Sequence, residues 1–473
     1  MSTETFDAAL LDEAAPAVPM SPRTRTALGV LGASAVAGLA ADALLRAIPW
    51  GLNLALYAAV FCALAVGLDR WAGASRARAA WMAPVLAFGA LAAWRDSPVL
   101  KGIDLLALAV ILALAAHHAQ GGSVRLAGIG RYAVATLLAW TDAAFGALAL
   151  LVGTRWSELP RRGLSRHVPA VLRGLLLAVP ALLLFGTLLV SADAGFERLV
   201  DGIFRLDAEL TVAHVAMTLV FAWMAAGAFR ALHLVDGDRL ARLPGRPAAL
   251  SVGPTEVCIV LGTLNLLFLA FVAVQVRWLF GGAAVVAASP SLGYAEYARR
   301  GFFELVTVAG LVLPMLLVLH WMLRADSGGS ERLFRVLAGV QVALLYVIMA
   351  SAMRRMWLYQ QAYGLTEMRV YTTAFMAWLA AVFAWFALTV LRGLRDRFAF
   401  GALTAGLLAA AALHVADPDA LILRVNTARA DLSTHFDASY AAGLSGDAVP
   451  GLLAALPRLP AGARCTAARH LAA

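Results

Sequence analysis

The residues best equipped for chemistry in this 473-residue chain are arginines, glutamates and tyrosines gathered into a few polar strings. Tyr294, Glu296, Tyr297, Arg299, Arg300 and Glu304 lie in YAEYARRGFFELV, and Tyr363, Glu367, Arg369 and Tyr371 lie in YGLTEMRVYTTAF. Arg277, Arg354 and Arg355 stand at the edges of neighbouring apolar stretches. On a helix, Tyr297, Arg300 and Glu304 share a face, with Arg300 and Glu304 one turn apart. The spacing of Tyr363, Glu367 and Tyr371 repeats that pattern on one expected helix. A guanidinium fork binds carboxylate or phosphate in bidentate fashion, so an anionic small molecule or a lipid headgroup is the expected ligand. The competing reading is structural: arginine–glutamate pairs that lock helix ends, with tyrosines as interfacial anchors.

Other chemistries lack their residues. Lys101 is the single lysine, and VLKGID is no phosphate-binding turn. Kinase and pyridoxal-phosphate chemistry need a lysine in a defined setting that this chain lacks. Cys62, Cys258 and Cys465 are scattered, with no paired spacing. His117 and His118 are adjacent, so on a helix they point about 100° apart and chelate poorly. There is no HExxH string and no G-x-S-x-G elbow. No metal site and no cofactor is expected. Three polar residues fall inside apolar stretches: Asp142, Asn265 and Gln341. A carboxylate there is a relay candidate or needs a cationic partner, whereas the amides read as glue between helices.

The elements that must position these residues follow from composition. The chain is 62% hydrophobic and 14% charged, with a mean hydropathy of +0.79. Soluble domains are about 45–50% apolar and about 25% charged, so an ordinary soluble enzyme, a disordered chain and a disulfide scaffold are excluded. Apolar runs occupy 26–45, 49–68, 79–94, 103–118, 132–153, 169–190, 209–231, 254–276, 302–323, 334–352, 370–391 and 399–415. Runs of this length in lipid must be helical. The expected fold is an all-α polytopic transmembrane helix bundle of about twelve spans, within a range of eleven to thirteen. The expected organisation is a polar segment 1–25, transmembrane helices 26–153, a transmembrane core 154–416 and a small helical tail 417–473. In the tail, 437–444 and 447–456 read as short helices with Asp437 and Asp447 as N-caps.

The net charge of +9 reads as topology, not as nucleic-acid binding, because arginines flank the spans. Loops 154–168, 230–248, 324–335 and 392–397 hold fourteen arginines, against eight in the loops between them. That bias puts these four loops in the cytoplasm and the tail outside it. The arginine, glutamate and tyrosine set then gathers on the extracytoplasmic face.

Several strings carry a resemblance: SADAGFERLVDGIFRLD (191–207), NLLFLAFVAVQVRWLFGG (265–282), YAEYARRGFFELV, YGLTEMRVYTTAF, PDALILRVNTARA (418–430) and DAVPGLL (447–453). Over about residues 170–455 the chain resembles bacterial integral membrane proteins known only as a domain of unknown function. The resemblance implies a multi-pass protein of the bacterial cytoplasmic (inner) membrane and brings no activity with it. The leading expectation is non-enzymatic ligand binding, transport or envelope sensing, with the lipid bilayer as surroundings and no protein partner specified. The alternatives are a transferase or hydrolase for lipid-linked or anionic substrates, using Glu304 or Glu367 as base, and a structural component of an envelope complex.

Overall fold

A computed structural model describes residues 20–72, 81–158, 208–235, 251–287, 302–323, 328–429 and 436–472, with short pieces inside 178–196 and residues 237 and 239. The fold is all-α. Among the described residues the one β-type pairing is an isolated bridge between Val252 and Leu323.

The membrane part comprises α1 (Pro22–Leu45), α2 (Leu52–Ala72), α3 (Met82–Trp94), α4 (Pro98–Ala119), α5 (Ile129–Gly153), α6 (Ala208–His233), α7 (Pro254–Ala287), α8 (Phe302–Met322), α9 (Gly328–Tyr363), α10 (Glu367–Thr389) and α11 (Phe398–Ala416). The tail adds α12 (Pro418–Arg429), α13 (Ala438–Ala442), α14 (Val449–Ala455) and α15 (Ala461–Ala472). Ten of the described helices are long and apolar enough to cross a membrane, and α3 is a shorter apolar helix. Eleven of the twelve expected runs coincide with these helices; 169–190 lies almost wholly outside the described residues. The protein is thus a multi-pass helical membrane protein.

The chain divides into two units. The first gathers α1, most of α2, α5 from Leu137 onward and α6. Its packing depends on glycine, because lipid offers little drive for helix association and close contact must supply it. A Cβ on Gly38 of α1 would lie 2.4 Å from the Thr218 carbonyl of α6. One on Gly227 of α6 would lie 2.0 Å from the Asp142 carbonyl of α5. Phe61 of α2 stacks on Phe229 of α6 with ring centroids 4.7 Å apart. The second unit holds α3, α4, the start of α5 and everything from α7 onward. Its membrane core is built by α7 to α10 and the start of α11, with Phe334, Phe383, Phe386 and Phe398 fully buried. The tail has its own small core of Leu423, Ala441, Ala448, Leu452, Leu459 and Ala467.

Candidate functional site

The site that emerges lies in the second unit, where the tail meets the ends of α3, α4, α10 and α11. It starts from the three-residue turn Arg95–Ser97 between α3 and α4. Pro98 opens α4 with no N–H to donate, and the Ser97 side chain makes no cap. The tail supplies one: the Asp447 carboxylate accepts from the N–H of Asp96 at 2.7 Å and of Ser97 at 3.3 Å. The exchange is reciprocal, since the Asp96 carboxylate accepts from the Gly446 N–H at 3.0 Å. Gly446 leaves room for that approach, since a Cβ would sit 2.9 Å from the carboxylate. Lys101, one turn into α4, donates to Asp96 at 2.7 Å, and this bond holds the Asp96 carboxyl below the usual carboxylate range.

Arg95 ties the same turn to the end of α11. Its Nε donates to the His414 carbonyl at 2.7 Å and its Nη1 pairs with Asp417. Asp417 adopts the left-handed conformation, φ 51°, which ends α11. Its other oxygen accepts from the Ala420 N–H at 3.2 Å, capping α12, and Pro418 stands first in that helix. One residue therefore closes a membrane helix, opens the tail and binds a guanidinium.

Among the described residues of this unit, two carboxylates are fully buried, Asp104 and Asp419. Asp104 of α4 meets His414 of α11 at 3.0 Å, both with no exposed side-chain surface. His414 Nδ1 lies 2.9 Å from the Ala410 carbonyl and so carries a proton. The contact between Nε2 and Asp104 then needs one further proton, held by either partner. Asp419 of α12 accepts from the Ser445 hydroxyl, and its second oxygen has no partner. Burial pushes its carboxyl upward against the hydrogen bonds from Ser445, which pull it down, and the charges of Asp447 and Asp417 add to the upward push. Asp419 also lies within electrostatic range of Glu367, Tyr371 and Tyr440.

The string around 363–371 joins this assembly, but not on one helix. Gly364, at φ 75°, breaks the chain between α9 and α10. Tyr363 therefore ends one helix and Glu367 starts the next, which corrects the expected shared face of Tyr363, Glu367 and Tyr371. The Glu367 N–H donates to the Tyr440 hydroxyl at 2.8 Å, and Tyr371 Oη lies 3.0 Å from Ser97 Oγ. Arg369 donates to the carbonyls of Tyr363 at 3.1 Å and Gly364 at 2.7 Å, and lies 4.0 Å above the Tyr359 ring. Asn426 of α12 exchanges two hydrogen bonds with the Leu365 backbone, at 2.7 and 2.8 Å. A cleft of about 670 Å³ lies beside these contacts, lined by Tyr363, Thr366, Asn426, Arg429, Asp437 and Tyr440 among others.

The remaining candidates are dispersed. Arg355 of α9 donates to Gln275 of α7 at 2.9 Å. Arg354 and Glu304 are exposed. Glu296, Tyr297, Arg299 and Arg300 lie outside the described residues, as does the side chain of Arg277. Asp142 pairs with Arg230 of α6 at 3.4 Å. Asn265 donates to the Leu337 carbonyl at 2.9 Å, and Gln341 is fully buried one turn further along α9. Asp437 caps α13 as expected, accepting from the Tyr440 N–H at 2.9 Å. Asp447 does not cap α14; it serves α4 instead. Among the described residues no group of three or more His, Cys, Asp or Glu side chains is placed to hold a metal ion.

Sequence reasoning missed Arg95, Asp96, Asp104, His414 and Asp419. The signal open to it was the concentration of Asp96, Lys101 and Asp104 around the start of one apolar run. No curated protein and no solved structure matches the chain. A family model described as a domain of unknown function (DUF4153) matches residues 82–455, which takes in every element of the tail junction from α3 to α14. The chain belongs to the DUF4153 family.

Proposed function

We propose that this protein is a non-enzymatic sensor in the bacterial cytoplasmic membrane, in which the tail reports proton occupancy of its junction to the membrane helices. The observation that carries this reading is Asp419: fully buried, with one oxygen unpartnered, and faced by Asp417, Asp447 and Glu367. Acidic groups also outnumber bases around it, since Arg95 is engaged by Asp417 and Lys101 by Asp96. Protons, not anions, are therefore the ligands this junction favours. Tyr363, Glu367, Arg369 and Tyr371 belong to its floor, as positioning groups for the tail. The arginine bias between loops supports placing the tail outside the cytoplasm. An enzymatic reading finds less support: Glu304 is exposed and Glu367 does not line the cleft.

The sign of the response follows from linkage. The Asp419 carboxyl titrates above its ordinary value in the closed junction. Its contribution is complete below the ordinary aspartate pKa and is lost as pH rises through the elevated one. Limited proteolysis of the tail in membrane vesicles tests this. The wild-type tail becomes easier to cleave as pH rises, whereas Asp419→Asn stays protected throughout. The same pH profile in both proteins refutes the reading.

A further inference from the structure

A second polar site lies in the first unit and involves none of the tail residues. At one end of that unit, the start of α1 meets the ends of α5 and α6 around a cavity of about 610 Å³. Three guanidinium groups line it, Arg23, Arg155 and Arg230, together with Ser21, Thr24 and Thr154. Arg23 is exposed and Arg155 has 75% of its side chain open to solvent. Arg230 reaches back to Asp142 at 3.4 Å.

An anion already sits at the rim. Glu158 accepts from the Ser21 N–H at 3.0 Å and the Ser21 hydroxyl at 2.6 Å, and is 3.4 Å from Arg155. Hydrogen bonds from Ser21 and Thr24 hold its carboxyl down to about 2. This carboxylate shows what the site favours, namely oxyanions that accept from the start of α1 and from guanidinium. Glu158 engages Arg155 and Asp142 engages Arg230, so Arg23 and a large cavity remain for a further oxyanion.

The setting names the source of a second anion. Arg25 donates to the Trp71 carbonyl at 2.8 Å, so the Arg70 end of α2 lies at this same end. Arginines gathered at helix ends sit at headgroup depth, where basic pockets between helices hold anionic lipid headgroups. The wall that α5 gives the cavity continues into exposed apolar side chains, Leu148 and Val152, over which acyl chains can lie.

We propose that this cavity binds the phosphate of an anionic phospholipid headgroup, held by Arg23, Arg155 and Arg230, with Glu158 as a built-in competitor that weakens the hold. The purified full chain in detergent is titrated with phosphatidylglycerol, phosphatidylcholine or inorganic phosphate, and binding is read by native mass spectrometry and by the shift in melting temperature. Phosphatidylglycerol binds selectively, and the joint change Arg23→Ala with Arg155→Ala weakens it by about tenfold or more. Both residues are exposed, so this variant folds; Arg230 is left intact because Asp142 needs it. Glu158→Gln tightens binding, and unchanged or weaker binding in that variant overturns the competitor role. Equal binding of phosphatidylcholine, an equal response to inorganic phosphate, or undiminished binding in the double variant overturns the proposal.

Discussion

At the scale of single residues, the account depends on charges placed where water does not reach. Asp104 and His414 share a proton inside the second unit, and each is the other's compensation for burial. Asp104→Ala leaves His414 without its partner and is expected to cost about 3–5 kcal/mol, read as a lower midpoint in thermal unfolding of the detergent-solubilised protein. Asp104→Asn keeps the shape and a polar contact and costs less. Asp447→Ala removes two hydrogen bonds from the start of α4 and is expected to cost about 1 kcal/mol, the usual worth of a helix cap. Asp142 was recognisable from the sequence as an intramembrane carboxylate, either a relay candidate or one paired with a cation, and it does pair with Arg230. Asp447 was misread because its nearest helix is not the one it serves. It caps a helix whose preceding residue, Ser97, lies 350 positions earlier in the chain, a relation that local spacing does not contain.

At the scale of elements, apolar run length made eleven helices legible, because a lipid-facing backbone has no alternative to a helix. The break between α9 and α10 was not legible. Gly364 lies inside a string whose other residues suit a helix, and its left-handed geometry is fixed by docking against Asn426. The tail helices α12 and α15 were also missed as helices, since their amphipathic pattern is weak and their partners are not local: α12 docks on the α9–α10 turn through Asn426, and α15 packs into the tail core. The contacts of α6 give a sharp test of helix packing. Gly227→Ala places a methyl against the Asp142 carbonyl and is expected to cost about 1–3 kcal/mol. Gly262→Ala, where nothing lies within 4 Å, is the matched control and leaves the melting temperature unchanged or slightly higher.

At the scale of the whole molecule, two polar sites of opposite character serve two units. The first unit carries an arginine-lined cavity suited to phosphate, and the second a carboxylate-rich junction suited to protons. The polar strings pointed to the α9–α10 turn as a special place, and the tail does dock there. The aspartates that define the junction's chemistry are spread from residue 96 to residue 447, so only the fold could assemble them. The junction has a defined working window. Asp96, held low by Lys101, contributes above the ordinary aspartate range and is lost in strong acid, whereas Asp419 contributes in acid and is lost as pH rises. Closure is therefore strongest in weak acid. Hydrogen exchange at the junction amides, those of Asp96, Ser97, Glu367 and Gly446, measures closure directly. Corrected for intrinsic exchange, wild-type protection is expected to fall as pH rises out of weak acid, while Asp419→Asn keeps its protection. Protection that is flat with pH in the wild type, or that falls identically in Asp419→Asn, contradicts the account.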